Sequence, residues 1–179
     1  MYAIQKIRRI KMNFEGNIAV ITGSSAGIGA EAAKKITSLG GRVTINYSKN
    51  KEAAEEVAHE CSRLGEPPLI IKADIATDEG CQHLINSSVS EFSKINILIN
   101  NAGRTKFADH SNLDALQRAD FEDILSLNLN SNYELIKHAR PHLAKNKKSS
   151  IVNISSVAGL RGLGSSVAYA ASKGALNSM

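Results

Sequence analysis

The chain has 179 residues, of which 42% are hydrophobic, 22% charged and 4% aromatic, with no Trp. Those values fit one globular domain with a real core rather than a disordered chain, and the longest apolar runs, such as Ile18 to Ile21, fall far short of the ~20 residues a membrane-spanning helix needs. The formal net charge of +5 is carried in part by Lys6, Arg8, Arg9 and Lys11, so with so few aromatics no nucleic-acid partner is expected.

Residues 1–12 form a basic N-terminal extension, with Met12 an alternative start, and the structured body begins at residue 13. Ile18-Ala19-Val20-Ile21 has the β-branched, fully apolar character of a buried parallel strand. It runs into Thr22-Gly23-Ser24-Ser25-Ala26-Gly27-Ile28-Gly29, and a helical pattern follows from Ala30 to Leu39, stopped by Gly40-Gly41. Strand, glycine-rich turn and helix in that order suit a dinucleotide. Gly23 takes the tight turn, Gly27 lets backbone approach a pyrophosphate, and Gly29 permits close helix–strand contact. The spacing is G-x-x-x-G-x-G rather than G-x-G-x-x-G.

The second strand, Arg42 to Tyr47, ends in Ser48 and Lys49 without the acidic residue that would bind a ribose 2′-hydroxyl. A hydroxyl and an ammonium there suit NADP(H) better than NAD(H). A surface helix follows over Lys51 to Leu64, with Ala54, Val57, Ala58, Cys61 and Leu64 inward. Leu69 to Ala73 is the third strand, and Asp74 beyond it either meets a ligand or caps the next helix. That helix spans Thr77 to Ser93, with Leu84, Ile85, Val89 and Phe92 inward. Cys61 and Cys81 both fall in helices and form no C-x-x-C, as expected of reduced thiols in a cytoplasmic protein.

Ile95 to Ile99 is the fourth strand, leading into Asn100-Asn101-Ala102-Gly103. A polar, irregular stretch gives way to a long helix from Phe121 to about Ala144, in which Asn128 would ordinarily face solvent or mark a kink. His138 and His142 stand four apart, but no carboxylate or third ligand is evident, so no metal is expected. The fifth strand, Ser150 to Ile154, ends in Ser155-Ser156. A loop spaced by Gly159, Gly162 and Gly164 then leads to a helix with Tyr169 and Lys173 at i and i+4. The two side chains share one helix face, where an ammonium favours phenolate over phenol and prepares the tyrosine for proton transfer. Alternating β and α segments predict a Rossmann-type doubly wound parallel sheet in three α/β/α layers.

Taken together, T-G-S-S-A-G-I-G, the aspartate after the third strand, N-N-A-G, I-V-N-I-S-S and Y-A-A-S-K resemble the short-chain dehydrogenase/reductase family, in the style of 3-oxoacyl-carrier-protein reductases. The resemblance covers roughly residues 13–179, making these an NAD(P)-binding Rossmann domain. It implies an oxidoreductase moving hydride between nicotinamide and a ketone or secondary alcohol. Tyr169 would be the general acid/base, Lys173 its partner, and Ser156, thirteen residues before the tyrosine, the group on the reacting oxygen. Asn128 would hold a water linking Lys173 to solvent. Cofactor contacts would come from Gly23, Ser25, Gly27, Ile28, Gly29, Tyr47, Ser48, Lys49, Asp74, Ile75, Asn101, Ala102, Gly103, Tyr169 and Lys173. Family members continue with two more strands and a substrate-covering loop, so the chain is expected to be C-terminally incomplete, with its fifth strand an apolar edge. The expected partners are a small-molecule carbonyl or alcohol and, at full length, further copies of the same chain. The alternative is a truncated, catalytically inactive dinucleotide-binding protein.

Overall fold

In the computed structural model, which describes residues 12–179, five parallel strands form one sheet. β1 (Ile18–Ile21), β2 (Arg42–Tyr47), β3 (Leu69–Lys72), β4 (Ile97–Asn100) and β5 (Ser150–Asn153) lie in the order β3-β2-β1-β4-β5. Residues 1–11 of the basic extension lie outside the described residues. Ile21 stands in register with Ile45 on one side and Ile99 on the other. A central parallel strand is covered on both faces, so its side chains must be apolar throughout; Ala19, Val20 and Ile21 are all fully buried.

Successive side chains of a strand point to opposite faces, which splits the core in two. Ala19, Ile21, Val43 and Ile45 pack under α1 (Gly27–Ser38) and α2 (Lys51–Leu64) through Ala33, Ile36, Val57 and Cys61. Val20, Leu98 and Ile95 pack with Leu84 and Ile85 of α3 (Asp78–Phe92) and Leu135 of α5 (Ser131–Leu143). α4 (Arg118–Leu125), α6 (Ala158–Arg161) and α7 (Val167–Ser178) complete the chain. The architecture is the predicted doubly wound, three-layer α/β fold. From β1 the chain steps outward to β2 and β3, then returns to β4 on the other side. The crevice beyond the carboxyl ends of β1 and β4 is therefore where a ligand belongs.

Several boundaries differ from the sequence reading. β4 begins at Ile97, because Asn96 instead closes the start of the sheet, its Oδ1 accepting from Ile18 N at 2.7 Å. Leu64 is exposed rather than inward, since it ends α2 beyond the sheet. The long helix begins at Arg118 and widens into a π turn over Ser126–Asn130 before α5. The glycine-spaced loop contains α6, which the helical period was too short to reveal. Thr77, not Asp74, caps α3 by accepting from Gly80 N, while Asp74 Oδ1 accepts from Ala76 N. β5 forms the predicted sheet edge, with Ile151 and Val152 exposed. Among the described residues no helix is long and apolar enough to cross a membrane.

Candidate active site

The turn between β1 and α1 is built by buried polar side chains. Ser24 Oγ donates to Ile21 O at 2.7 Å and accepts from Asn46 N at 2.9 Å. Asn46 Oδ1 accepts from Gly23 N at 3.1 Å, and its Nδ2 donates to Ala73 O at 3.1 Å. One amide at the end of β2 thus ties three strand ends together. At Gly29 a β-carbon would lie 2.5 Å from Asn101 Nδ2 and 2.9 Å from Gly23 O, so no side chain fits. Gly27, with φ +56°, has no atom within 4 Å of where a β-carbon would stand. Backbone there is bare to whatever approaches. The first turn of α1 has no side-chain cap and no acidic residue, leaving its N–H groups and dipole open to an anion. These residues fit the pyrophosphate of a dinucleotide.

Two adjoining cavities flank this turn. One of about 350 Å³ is lined by Gly23, Ser25, Tyr47, Ser48, Lys49, Asp74, Ile75 and Ala102. The other, about 660 Å³, is lined by Ile28, Ser156, Tyr169 and Lys173. Asn101, Gly103 and Arg104 line both. Every candidate cofactor residue named from the sequence thus borders this crevice or, as Gly27 and Gly29, forms the turn between its halves. Ser48 and Lys49 are exposed past β2.

Ser156, Tyr169 and Lys173 come together at the larger cavity. Lys173 Nζ is 5.8 Å from the Tyr169 ring centroid and donates to Ile154 O at 2.7 Å. Burial lowers the pKa of that ammonium below its ordinary 10.5. Ser156 Oγ accepts from Ala158 N at 3.1 Å, leaving its O–H to donate elsewhere.

Of the two residue-level expectations for Asn128, facing solvent or marking a kink, the first fails and the second holds, for it is fully buried within the π turn. Its Oδ1 accepts from Arg104 N at 2.8 Å, and its Nδ2 donates to Arg104 O at 2.9 Å and to Ser172 Oγ at 3.0 Å. The Ser172 hydroxyl in turn donates to Tyr169 O at 2.7 Å. Asn128 therefore links the loop after β4 to the helix that carries Tyr169. Sequence reasoning missed Asn46 and Ser172; the only signal was a lone polar residue at an otherwise buried position.

His138 and His142 do not act as a pair. The packing of α3 on α5 brings Asp78 Oδ1 to 2.7 Å from His138 Nε2, and Glu134, one turn earlier on α5, lies alongside, so contrary to the sequence expectation two carboxylates do flank His138. Lys137 bonds Glu134 and lies 3.7 Å from Asp78, supplying positive charge there. Cys61 and Cys81 are free and buried, and burial raises the Cys81 thiol to about 12, which makes it unreactive.

Residues 17–179 match the short chain dehydrogenase family model. A ketoacyl reductase of a granaticin polyketide synthase from Streptomyces violaceoruber is 36% identical over 160 residues, covering 89% of this chain and 63% of the relative. A short-chain dehydrogenase/reductase from Burkholderia xenovorans superposes with TM-score 0.88 at 38% identity, covering 90% of this chain and 68% of that one. A metagenomic short-chain oxidoreductase in complex with NADP gives TM-score 0.85 at 30% identity, over 92% and 73% of the two chains. An NAD+-bound xylitol dehydrogenase gives TM-score 0.86 at 26% identity, over 93% and 63%. The chain thus spans a little under two thirds of the length of the curated relative it matches. With the sheet order and crevice described above, the match establishes that this chain belongs to the short chain dehydrogenase family.

Proposed function

We propose that this chain is the nucleotide-binding and catalytic portion of an NADPH-dependent carbonyl reductase, with Tyr169 as general acid/base. One observation carries the reading. Ser156, Tyr169 and Lys173 line a single cavity that adjoins the uncapped first turn of α1. A nicotinamide dinucleotide bound in the crevice would supply the hydride for the carbonyl carbon. The Tyr169 O–H donates its proton to the carbonyl oxygen, so that ketone plus hydride plus proton gives the secondary alcohol; alcohol oxidation reverses each transfer. The Ser156 hydroxyl donates to the same oxygen and stabilises the charge that develops on it. Lys173 offsets negative charge on the Tyr169 oxygen once the proton has left, and would hold the nicotinamide ribose. Asn128 holds the water through which Lys173 exchanges protons with solvent.

Ser25 and the Gly27–Gly29 backbone would hold the phosphates of the cofactor, Asp74 and Ile75 its adenine, and Asn101 to Gly103 its length. NADP(H) is favoured because Ser48 and Lys49 border the smaller cavity where an acidic residue would select NAD(H). Solved relatives include both an NADP complex and an NAD+ complex, so Lys49 carries this preference. The ketoacyl reductase relative makes a β-ketoacyl thioester the first substrate to try. Buried free thiols fit the cytoplasm. The test is NADPH oxidation by the purified chain with a panel of ketones, beside Tyr169→Phe. Turnover lost in the variant supports the reading; equal turnover overturns it. NADPH binding without turnover in either protein supports an inactive dinucleotide-binding protein instead.

A further inference from the structure

The smaller cavity is bordered by the ends of three strands, of which β1 and β3 are not neighbours because β2 lies between them. Ile21 and Ile45 are the last residues of β1 and β2 in register, and Tyr47 and Lys72 the last of β2 and β3. Beyond those pairs the chain leaves as the glycine turn, the Ser48–Lys49 segment and the Asp74–Ile75 segment. Two further backbone bonds, Ser24 N to Asn46 O at 3.0 Å and Ala73 N to Tyr47 O at 2.9 Å, hold each outer segment to β2. Neither joins the glycine turn to the end of β3.

The Asn46 side chain makes that join. Its Oδ1 accepts from Gly23 N at 3.1 Å, and its Nδ2 donates to Ala73 O at 3.1 Å. Among the described residues these two backbone groups have no other hydrogen-bond partner, and no other side chain bonds the glycine turn to the end of β3. Asn46 is 2% exposed, and its own N–H donates to Ser24 Oγ at 2.9 Å. Both ends of the amide and both backbone groups are therefore engaged within the protein. The residue acts on a ligand only by placing Gly23 and the Ala73–Asp74 corner. Val43 and Ile45 show the apolar type that fills the rest of β2; at position 46 a planar amide is needed, because it carries an acceptor and a donor on opposite edges.

Resting on the carbonyl reductase reading, we infer that Asn46 is a positioning residue for the dinucleotide: its amide sets the spacing between the turn that takes the phosphates and the strand end that takes the adenine. Contacts made by loops are only as exact as the groups that hold those loops. Loss of the amide leaves the Gly23 N–H and the Ala73 carbonyl without partners, and the two halves of the site relax apart. The ladders between β1, β2 and β3 do not use the side chain, so the sheet stays intact while cofactor affinity falls.

The test is calorimetric titration of NADP⁺ into the wild-type chain, Asn46→Asp and Asn46→Val at pH 8.5 and pH 5.5. An ionised carboxylate in place of the amide still accepts from Gly23 N but turns a negative oxygen towards Ala73 O. Burial and that repulsion raise its pKa above the ordinary value of about 4. Lowering the pH protonates it, and the neutral carboxyl then donates to Ala73 O as the amide does. The expected affinity of Asn46→Asp is about tenfold or more below wild type at pH 8.5 and within about threefold of it at pH 5.5. Asn46→Val supplies neither bond and stays weak at both. Tyr47, Lys49, Asp74 and Arg104 border the same cavity and are common to all three proteins, as is the 2′-phosphate, so the ratio to wild type isolates position 46. A ratio for Asn46→Asp that ignores pH, or wild-type affinity in a folded Asn46→Val, overturns the inference. Circular dichroism reports folding at each pH, and unfolding of both variants also overturns it, making Asn46 a requirement of the fold rather than of the site. If the wild-type chain binds no NADP⁺, the reductase reading fails and the inference with it; if it binds and the ratio ignores pH, the inference fails alone.

Discussion

Asn128 and Arg104 are joined through both edges of one amide: the Asn128 oxygen takes the Arg104 N–H at 2.8 Å, and its nitrogen gives to the Arg104 carbonyl at 2.9 Å. The side chain thereby imitates a backbone strand and fixes the loop after β4 against α7. Removing it leaves two backbone groups, partly buried, without partners. Asn128→Leu is expected to lower stability by about 2–4 kcal/mol, seen as a fall in the thermal midpoint. An unchanged midpoint would show that water replaces the amide at no cost.

Tyr169→Phe keeps the ring and removes only the proton carrier. Ketone reduction should fall by about 10²- to 10⁴-fold, the range typical for loss of a general acid. NADPH affinity, measured by titration, should fall by no more than about tenfold, the loss of one hydroxyl contact to the cofactor. A parallel loss of NADPH binding would place Tyr169 in binding rather than proton transfer.

Gly29 and Gly27 make a matched pair. Gly29→Ala forces a β-carbon to 2.5 Å from Asn101 Nδ2 and against Gly23 backbone. It should cost about 2–3 kcal/mol of stability and weaken dinucleotide binding at least about tenfold as the turn shifts. Gly27→Ala meets no atom and pays only for its positive φ, about 1 kcal/mol. Comparable stability losses in both variants would contradict the close contact at Gly29.

Lys49→Glu tests cofactor choice. Exchanging a cation for an anion beside the smaller cavity should reduce NADPH affinity by about tenfold or more while NADH affinity holds or rises. Equal losses for both nucleotides would mean that Lys49 meets no 2′-phosphate.

Lys173 has its own signature in pH. Its ammonium is depressed below 10.5 by burial, so the folded chain holds that proton less tightly than the unfolded chain. The burial penalty is present at neutral pH and is relieved as pH rises through the depressed value towards 10.5. Stability therefore gains an upward contribution in that window. Lys173→Met should remove this gain, read as a flatter dependence of the thermal midpoint on pH above neutrality. Parallel curves for variant and wild type would refute it.

The order and type of the main elements were legible in the sequence because the evidence for them is local. Buried parallel strands must be apolar along their whole length, and glycine and proline mark where such runs stop. The glycine turn of α1 and the spacing of Tyr169 and Lys173 were visible for the same reason. Only the tertiary structure decided the rest. Asn128 had no visible partners until the π turn carried it against Arg104 and Ser172. Asn46 was one amide in a strand until it met Gly23 and Ala73, and His138 lacked Asp78 until α3 packed on α5. Each of these roles depends on partners between 23 and 60 residues away. Such hydrogen bonds leave no periodic trace in the chain, because only folding brings their two ends together.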